Sequence, residues 1–183
     1  QWPLILKPNR GGTGRGVQLF QTPKSLNEHL ESNEEYSLDG VTLVQEYIQP
    51  AHGVITRLEF IDGSFYYAVD VEVDGSFNLC PADVCQVGDA FCPAPGAETK
   101  KNKFRIRKDF SIPEIKACEA FLAESGMEVA AIEFVEDQRG KFFYDVNINT
   151  NYNQLAESEN DNTLRGMWAI AQLLGQELAL LKT

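Results

Sequence analysis

The sequence has few of the residues that perform nucleophilic catalysis or bind zinc. It contains only two histidines and four cysteines among its 183 residues, and no two cysteines form a CxxC pair. A structural zinc site needs several such ligands at close spacing, and no Ser-His or Cys-His arrangement is evident, so neither chemistry is indicated. We interpret the cysteines as free thiols of a reducing cytoplasm. The residues concerned are His29, His52, Cys80, Cys85, Cys92 and Cys118.

Basic residues are also scarce. There are 16 lysines and arginines against 27 aspartates and glutamates, which gives a formal net charge of −11. A nucleic-acid-binding protein normally carries a basic face, and no apolar run reaches the roughly 20 residues that span a bilayer. We therefore expect neither a nucleic acid nor a membrane among the partners. Because the first residue is Gln1 rather than methionine, we expect the natural start to lie upstream.

Turn signals and apolar periodicity predict an α+β fold in which hairpins are more frequent than βαβ units. The chain is long enough for one domain or for two small lobes. Strands are predicted within residues 3–7, 17–20, 41–50, 54–79, 104–109, 128–137 and 141–149, and helices within 21–32, 111–126 and 163–181. The strand at 41–50 is expected to be buried, and the last helix is expected to be amphipathic.

Local signals mark where these elements begin and end. Thr22 precedes Pro23 as an N-cap residue, and Ser111 or Ile112 precedes Pro113 in the same way. Asp-Gly pairs predict hairpin turns, and a third turn is expected at 138–140. The remaining predicted features are the turns Asp62-Gly63 and Asp74-Gly75, a stop at Gly126 and a long loop at 80–103.

A glycine-rich loop follows the first strand, which ends at Lys7. Its sequence, GGTGRG over residues 11–16, lacks the Lys-Ser/Thr of a P-loop and precedes a strand rather than the helix of a dinucleotide fingerprint. A strand, a glycine turn and a returning strand form a hairpin lid whose N–H groups can approach phosphates, with Lys7 as a point charge. The alternative is an ordinary hairpin with a solvated lysine.

Two acidic residues stand in the predicted pair of strands near the end of the chain. Glu133 lies in AAIEFVED and Asp145 in FFYDVNIN, and Asn147 follows on the same strand face as Asp145. A tight turn between the strands would bring these residues together, and two carboxylates with an amide oxygen are ligands that suit Mg²⁺. The alternative is an amphipathic hairpin with one carboxylate in solvent.

Three blocks of the sequence resemble the ATP-grasp proteins, in particular the RimK and glutathione-synthase group of carboxylate-amine ligases. They are LILKPNRGGTGRGVQL, LVQEYIQP and IEFVEDQRGKFFYDVNIN, in the order that this group has them. The resemblance implies the ATP-grasp fold, with two lobes whose antiparallel sheets hold a nucleotide between them. Residues 1–48 would form an incomplete small lobe with the lid, and residues 49–183 the large lobe, without the group's N-terminal domain.

The resemblance also implies an activity, namely an ATP- and Mg²⁺-dependent (or Mn²⁺-dependent) ligase that joins a carboxylate to an amine through an acylphosphate. The partners would be ATP and a small-molecule or peptide acid and amine, and a homo-oligomer is compatible with the sequence. The alternatives are a nucleotide-binding ATP-grasp module without ligase activity and a purely structural α+β domain.

The resemblance also implies roles for individual residues. Lys7 and the lid glycines would bind phosphates, residues 45–48 would bind adenine through their backbone, and Arg57 would lie close to the reacting groups. The implied nucleotide-binding residues are Lys7, Gly11, Gly12, Gly14, Gly16, Gln45, Glu46, Tyr47 and Ile48, and the implied metal ligands are Glu133, Asp145 and Asn147.

The sequence departs from this group in places. Ile55 stands where an acid usually binds the ribose, and FNLCPADVC replaces a segment that carries arginines in RimK-like ligases. In the basic run KKNKFRIRK, Arg105 and Arg107 share one strand face. We expect both to point into the same cleft as Glu133 and Asp145 and, with Arg57, to replace the missing arginines. The alternative is a solvated edge strand.

Overall fold

The computed structural model describes residues 1–11, 16–32, 37–73, 103–107, 109–160 and 165–181. The described residues divide into two compact units. One contains Gln1–Gln49, and the other contains Pro50–Glu72 with the described residues from Lys103 onward. Each unit is built on an antiparallel sheet, so the predicted α+β class is confirmed.

The first unit contains a three-stranded sheet of order β2-β1-β3, with strands β1 (Leu4–Pro8), β2 (Gln18–Phe20) and β3 (Thr42–Glu46). The pairing of β1 with β2 confirms the predicted hairpin. Helix α1 (Pro23–Glu31) follows, and the Thr22 side chain accepts a hydrogen bond from the N–H of Ser25, which confirms the predicted N-cap.

Two details of this sheet bear on the sequence predictions. Gly16 adopts a φ of +79°, and a Cβ there would lie 2.9 Å from Cγ of Pro8, so this end of the glycine-rich loop requires glycine. The prediction that β3 is buried is wrong, since Val44 is 55% exposed and none of the five residues of β3 is fully buried. Apolar composition alone did not distinguish a half-covered strand from a buried one.

The second unit contains a five-stranded antiparallel sheet of order β6-β5-β4-β7-β8. Its strands are β4 (Val54–Ile61), β5 (Ser64–Glu72), β6 (Phe104–Arg107), β7 (Val129–Asp137) and β8 (Gly140–Asn147). The turn at Asp62-Gly63 joins β4 to β5 as predicted, with φ values of 55° and 63°. The predicted β7–β8 pair is also confirmed. The turn at Asp74-Gly75 and the loop over 80–102 lie outside the described residues.

Helices cover both faces of this sheet, which therefore has two apolar cores. Helix α2 (Glu114–Glu124) packs with Leu58, Phe60 and Phe134 on one face. Helices α3 (Gln154–Ser158) and α4 (Gly166–Leu180) pack on the other, with Val69 and Ile106. The N-cap position of α2 is Pro113 and makes no side-chain cap, so the prediction of Ser111 or Ile112 is wrong.

Helix α4 begins at Gly166, whereas the sequence predicted a helix from Thr163; residues 161–164 lie outside the described residues. The predicted amphipathic character is wrong, because the exposed side of α4 is also apolar. Exposed side chains include Met167, Trp168, Leu174 and Leu178. Helix α3 was not predicted. Among the described residues, none of the helices combines the length and apolar character needed to cross a bilayer.

The start of α4 is fixed against the sheet at one glycine. The N–H of Gly166 donates to Oε1 of the buried Glu157 at 2.7 Å, and the Tyr67 hydroxyl donates to the same oxygen at 2.9 Å. A Cβ at Gly166 would lie 2.1 Å from Cδ1 of the buried Tyr152 ring. A side chain at Gly166 therefore forces this ring or the helix to move.

Replacing Gly166 by alanine should destabilise the protein by about 1–3 kcal/mol through this overlap. Gly175 of the same helix is the matched control, because a Cβ there meets no atom within 4 Å. Alanine at Gly175 should be neutral or stabilising by up to about 1 kcal/mol. Urea unfolding of both variants measures the difference, and equal free energies of unfolding would contradict the packing of Gly166 on Tyr152.

Candidate metal-binding and catalytic site

The two acidic residues face each other across neighbouring strands of the second unit. Glu133 on β7 pairs directly with Asp145 on β8, and Asn147 pairs with Ala131, two residues further along the same face. Glu133 is 8% exposed, and Asp145 and Asn147 are half-buried. The structure thus brings the three residues together on one sheet face, as their spacing predicted.

A β-bulge adds a tyrosine to this group. The register of β7 and β8 shifts between Glu133 and Phe134, which leaves Tyr144 as the extra residue of β8. Its hydroxyl donates to Oε2 of Glu133 at 2.8 Å. Burial, followed by the nearby Glu133 charge, raises the pKa of Tyr144 well above its usual value, so the hydroxyl remains a donor.

Arg57 lies on β4 and pairs directly with Glu133. Because β7 lies between β4 and β8, Glu133 is flanked by Arg57 on one side and by Asp145 on the other. Nη2 of Arg57 lies 2.9 Å from Oε1 of Glu59 and donates to the Thr150 hydroxyl, whereas its Nε lies 3.9 Å from Oε1 of Glu133. The Thr150 hydroxyl in turn donates to Oε2 of Glu59 at 2.8 Å. Arg57, Glu59 and Thr150 are all less than 9% exposed and form a buried polar network.

Sequence reasoning missed Glu59 and Thr150. Glu59 carried a detectable signal, because an acid two residues after Arg57 occupies the same face of a strand that is otherwise largely apolar. No local pattern in the sequence indicated Thr150, because it is 93 residues away from Arg57 along the chain.

The electrostatics of Glu59 differ from those of an ordinary surface carboxylate. Burial raises the pKa of Glu59 to about 7, and the Glu133 charge adds to the increase, while Arg57 and the Thr150 hydroxyl oppose it. Near neutral pH, Glu59 therefore exchanges a proton, although a free glutamate would be fully charged.

The pH dependence of stability should reveal this carboxyl. A pKa raised from 4.5 to about 7 means that the folded protein binds the proton more tightly than the unfolded chain. The associated stabilisation is complete below pH 4.5 and is lost as the pH rises through about 7. Glu59→Gln removes this titration, so the wild type should lose stability relative to the variant over that range in urea unfolding. A constant difference from pH 4.5 to 8 would contradict it.

The donor set of Glu133, Asp145 and Asn147 fits a hard divalent cation. Two carboxylates and an amide are oxygen donors of the kind that Mg²⁺ prefers, with its remaining positions left to water or phosphate. The Asn147 amide oxygen is oriented by accepting the N–H of Asn149 at 2.8 Å. In the part of the chain that is described, no three His, Cys, Asp or Glu side chains form a metal cluster, so any cation here depends on the amide and on nucleotide oxygens.

The predicted placement of Arg105 and Arg107 is wrong. Ile106 between them pairs with Val69, which pairs with Arg57, so Ile106 shares the face of Glu133 and both arginines lie on the opposite face. There they lie 3.3 and 3.8 Å from the carboxylate of Asp70, with side chains 78% and 44% exposed. Arg57 is the one of the three arginines that reaches the acidic pair.

The residues implied in nucleotide binding lie in the first unit where they are described. Lys7 on β1 pairs with Leu43, Gly11 is exposed, and Gly12 and Gly14 lie outside the described residues. Gln45 and Glu46 belong to β3 and pair with β1.

The end of β3 limits how it would contact an adenine. The N–H of Tyr47 donates to the carbonyl of Pro3 at 2.9 Å, so this group is already used. An adenine would have to use other backbone groups of residues 45–48, such as those of the half-buried Ile48.

Comparison with known proteins identifies the class to which this fold belongs. A D-alanine–D-alanine ligase from Bacillus anthracis superposes with a TM-score of 0.60 over 99% of this chain and 56% of that one, at 17% identity. The ATP-grasp RimK domain protein from Sphaerobacter thermophilus superposes with a TM-score of 0.53 over 94% and 52%, also at 17% identity. The chain therefore has the ATP-grasp fold, as its sequence motifs predicted.

Sequence comparison finds a relative with higher identity than these two structures. The chain is 30% identical over 146 residues to a probable alpha-L-glutamate ligase from Parasynechococcus marenigrum, a region that covers 79% of this chain and 27% of that protein. No family model matches the chain. The resemblance to the RimK-like ATP-grasp ligases is confirmed. The chain spans about a quarter of the length of its curated relatives and about half of the solved structures.

Proposed function

We propose that this chain is the nucleotide- and metal-binding part of an ATP-dependent ligase that joins a carboxylate to an amine. The observation that carries the proposal is the placement of Glu133, Asp145 and Asn147 on one sheet face in an ATP-grasp fold. Its curated relatives are named probable alpha-L-glutamate ligases, which supports this reaction class and makes L-glutamate the first amine to test.

Each implied residue has a distinct task in this proposal. Glu133, Asp145 and Asn147 would hold Mg²⁺, which when bound neutralises charge on the nucleotide phosphates. Lys7 adds a fixed positive charge for a phosphate oxygen, and the lid glycines let backbone N–H groups approach the phosphates. The guanidinium of Arg57 supplies a buried positive charge beside Glu133 and Asp145.

The reaction itself needs no nucleophilic side chain. A carboxylate oxygen of the acid attacks the terminal phosphorus of ATP, which gives an acylphosphate and ADP. The amine then attacks the acyl carbon, phosphate leaves, and the amine loses a proton to form the amide. The protein contributes position, charge neutralisation and exclusion of water, because water would hydrolyse the acylphosphate.

A nucleotide-binding module without ligase activity is the second candidate. One observation favours it, namely that Ile55 is apolar and 7% exposed where the related ligases have an acid for the ribose. Arg105 and Arg107 also lie on the sheet face opposite to Glu133, so they do not replace the arginines that RimK-like ligases carry in the segment that contacts substrate.

Thermal unfolding with ADP, with and without Mg²⁺, tests the shared part of both proposals. A nucleotide at 100 times its Kd adds about 2.7 kcal/mol of stability. Release of ADP from ATP in the presence of L-glutamate and candidate carboxylates then separates a ligase from a binding module. Nucleotide binding without any acid-dependent ADP release across such a screen would favour the module.

Lys7→Ala should weaken ATP binding by roughly tenfold or more, the loss of one charge-assisted contact, and should leave adenosine binding nearly unchanged. Lys24→Ala is the control, since Lys24 is an exposed lysine of the same unit whose Nζ lies 3.7 Å from Glu28 on the same helix. Isothermal titration measures both ligands. Equal losses of ATP and adenosine affinity would mean that Lys7 supports the fold rather than a phosphate.

A further inference from the structure

Arg57 lies between two carboxylates and is held much closer to one of them. Its Nη2 is 2.9 Å from Glu59, whereas its Nε is 3.9 Å from Glu133. Thr150 secures the closer side, because its hydroxyl accepts from Nη2 and donates to Glu59. The carbonyl of Asn151 lies 3.5 Å from the same Nη2. The hydrogen bonds of Arg57 are thus concentrated at the end away from Glu133.

The other end of the guanidinium is unsatisfied. Within the described residues, Arg57 Nε is buried and has no hydrogen-bond acceptor. A buried donor without an acceptor is unfavourable, and the nearest carboxylate oxygen is Oε1 of Glu133. A small movement of Arg57 towards Glu133 would therefore convert this long ion pair of 3.9 Å into a close, hydrogen-bonded one if nothing opposed it.

A close, hydrogen-bonded pair of this kind would compete directly with a cation. A guanidinium and Mg²⁺ both need lone pairs of the same carboxylate, and the side chain of Arg57 is only 9% exposed, so it cannot turn out into solvent. Glu133 remains a good cation ligand only while Arg57 stays paired elsewhere.

We propose that Glu59 and Thr150 are positioning residues that hold Arg57 away from Glu133 and thereby keep the Glu133 carboxylate available to a divalent cation. The inference rests on the proposed function, because it assigns a purpose to the residues behind the proposed Mg²⁺ ligands. Residues behind a metal ligand commonly determine its affinity without touching the metal. Glu59 is suited to the task because it lies on the same strand and face as Arg57 and is 1% exposed.

Binding of Mn²⁺ in the presence of ADP tests the inference without requiring a substrate. Free Mn²⁺ is measured by electron paramagnetic resonance in a mildly alkaline buffer, in which Glu59 carries its charge. Glu59→Gln should weaken Mn²⁺ binding by about 10-fold or more. Thr150→Val, which changes no charge, should weaken it in the same direction, and Thr150→Ser, which keeps the hydroxyl, should retain wild-type affinity.

Asp70→Asn is the control for loss of a negative charge. Asp70 is also buried, at 5% exposed, but it lies on the opposite face of the sheet and pairs with Arg105 and Arg107. Its replacement should leave Mn²⁺ affinity unchanged. A loss equal to that of Glu59→Gln would overturn the inference in favour of a general charge effect.

The remaining outcomes separate the inference from the function on which it rests. A wild type that binds no Mn²⁺ with ADP would overturn both. A wild type that binds, with Glu59→Gln and Thr150→Val equally tight, would overturn the inference alone. Circular dichroism verifies folding of each variant, and if Glu59→Gln does not fold, the comparison of Thr150→Val with Thr150→Ser decides the matter.

Discussion

Replacing Arg57 by methionine should destabilise the protein by about 3–5 kcal/mol, the loss that follows when one partner of a buried ion pair is removed. Methionine fills a similar apolar volume, so packing changes little. Glu59 and Glu133 would then lie on neighbouring strands, 1% and 8% exposed, with no cation shared between them. Urea unfolding in a mildly alkaline buffer, above the pKa of about 7 of Glu59, measures the loss.

Arg105→Met is the matched control for this substitution. Arg105 is also a strand residue paired with a buried carboxylate, but its side chain is 78% exposed and Arg107 and Thr56 remain near Asp70. We expect a loss of less than about 1 kcal/mol. If both variants lost the same amount, Arg57 would be no more deeply coupled than a surface arginine, and the buried network would be refuted as a stabilising unit.

Features governed by short-range rules could be predicted from the sequence. The Asp62-Gly63 turn fixed the pairing of β4 with β5, and the tight turn after Asp137 fixed that of β7 with β8. Once that turn was known, the two strands were expected to bring Glu133 near Asp145, and period two placed Asp145 and Asn147 on the same face. The β-bulge was not predicted, although it is this bulge that puts Glu133 opposite Asp145 rather than opposite Tyr144.

The arginines of β6 show where such rules stop. Alternation predicted correctly that Arg105 and Arg107 share one face, but it contains no information about which face that is. This sheet has an apolar core on both sides, so packing of Ile106 on either side would have satisfied the pattern. The choice depends on tertiary packing with Tyr152 and Leu173, far along the chain.

The buried network was unpredictable for a related reason. Thr150 contacts Arg57 across 93 residues and Glu59 across 91, so neither contact appears in any local window. The prediction for helix α4 failed for a different reason. A helix with apolar residues on both sides has no sequence pattern that shows which side is buried.

Glu133→Gln and Asp145→Asn should each weaken Mg²⁺-dependent ADP binding by at least about 100-fold, the upper end of the loss seen when a residue behind a metal ligand is removed. Each change keeps the shape of the side chain and deletes one negative charge from a set that has two. Isothermal titration of ADP with saturating Mg²⁺ measures the loss.

Two further measurements show whether such a loss of ADP affinity is caused by the loss of Mg²⁺ binding. Without Mg²⁺, the variants should bind ADP as well as the wild type or slightly better, because a carboxylate that repels phosphate has gone. Glu136→Gln makes the same chemical change on the same strand, but Glu136 pairs with Lys141 on β8 and should bind Mg²⁺ and ADP normally. If both the Glu133 and the Asp145 variant kept normal Mg²⁺-dependent binding of ADP, the assignment of the metal site to this sheet face would be wrong. An equal loss with and without Mg²⁺ would instead mean that Glu133 and Asp145 support the fold, because a ligand of the cation acts only when the cation is present.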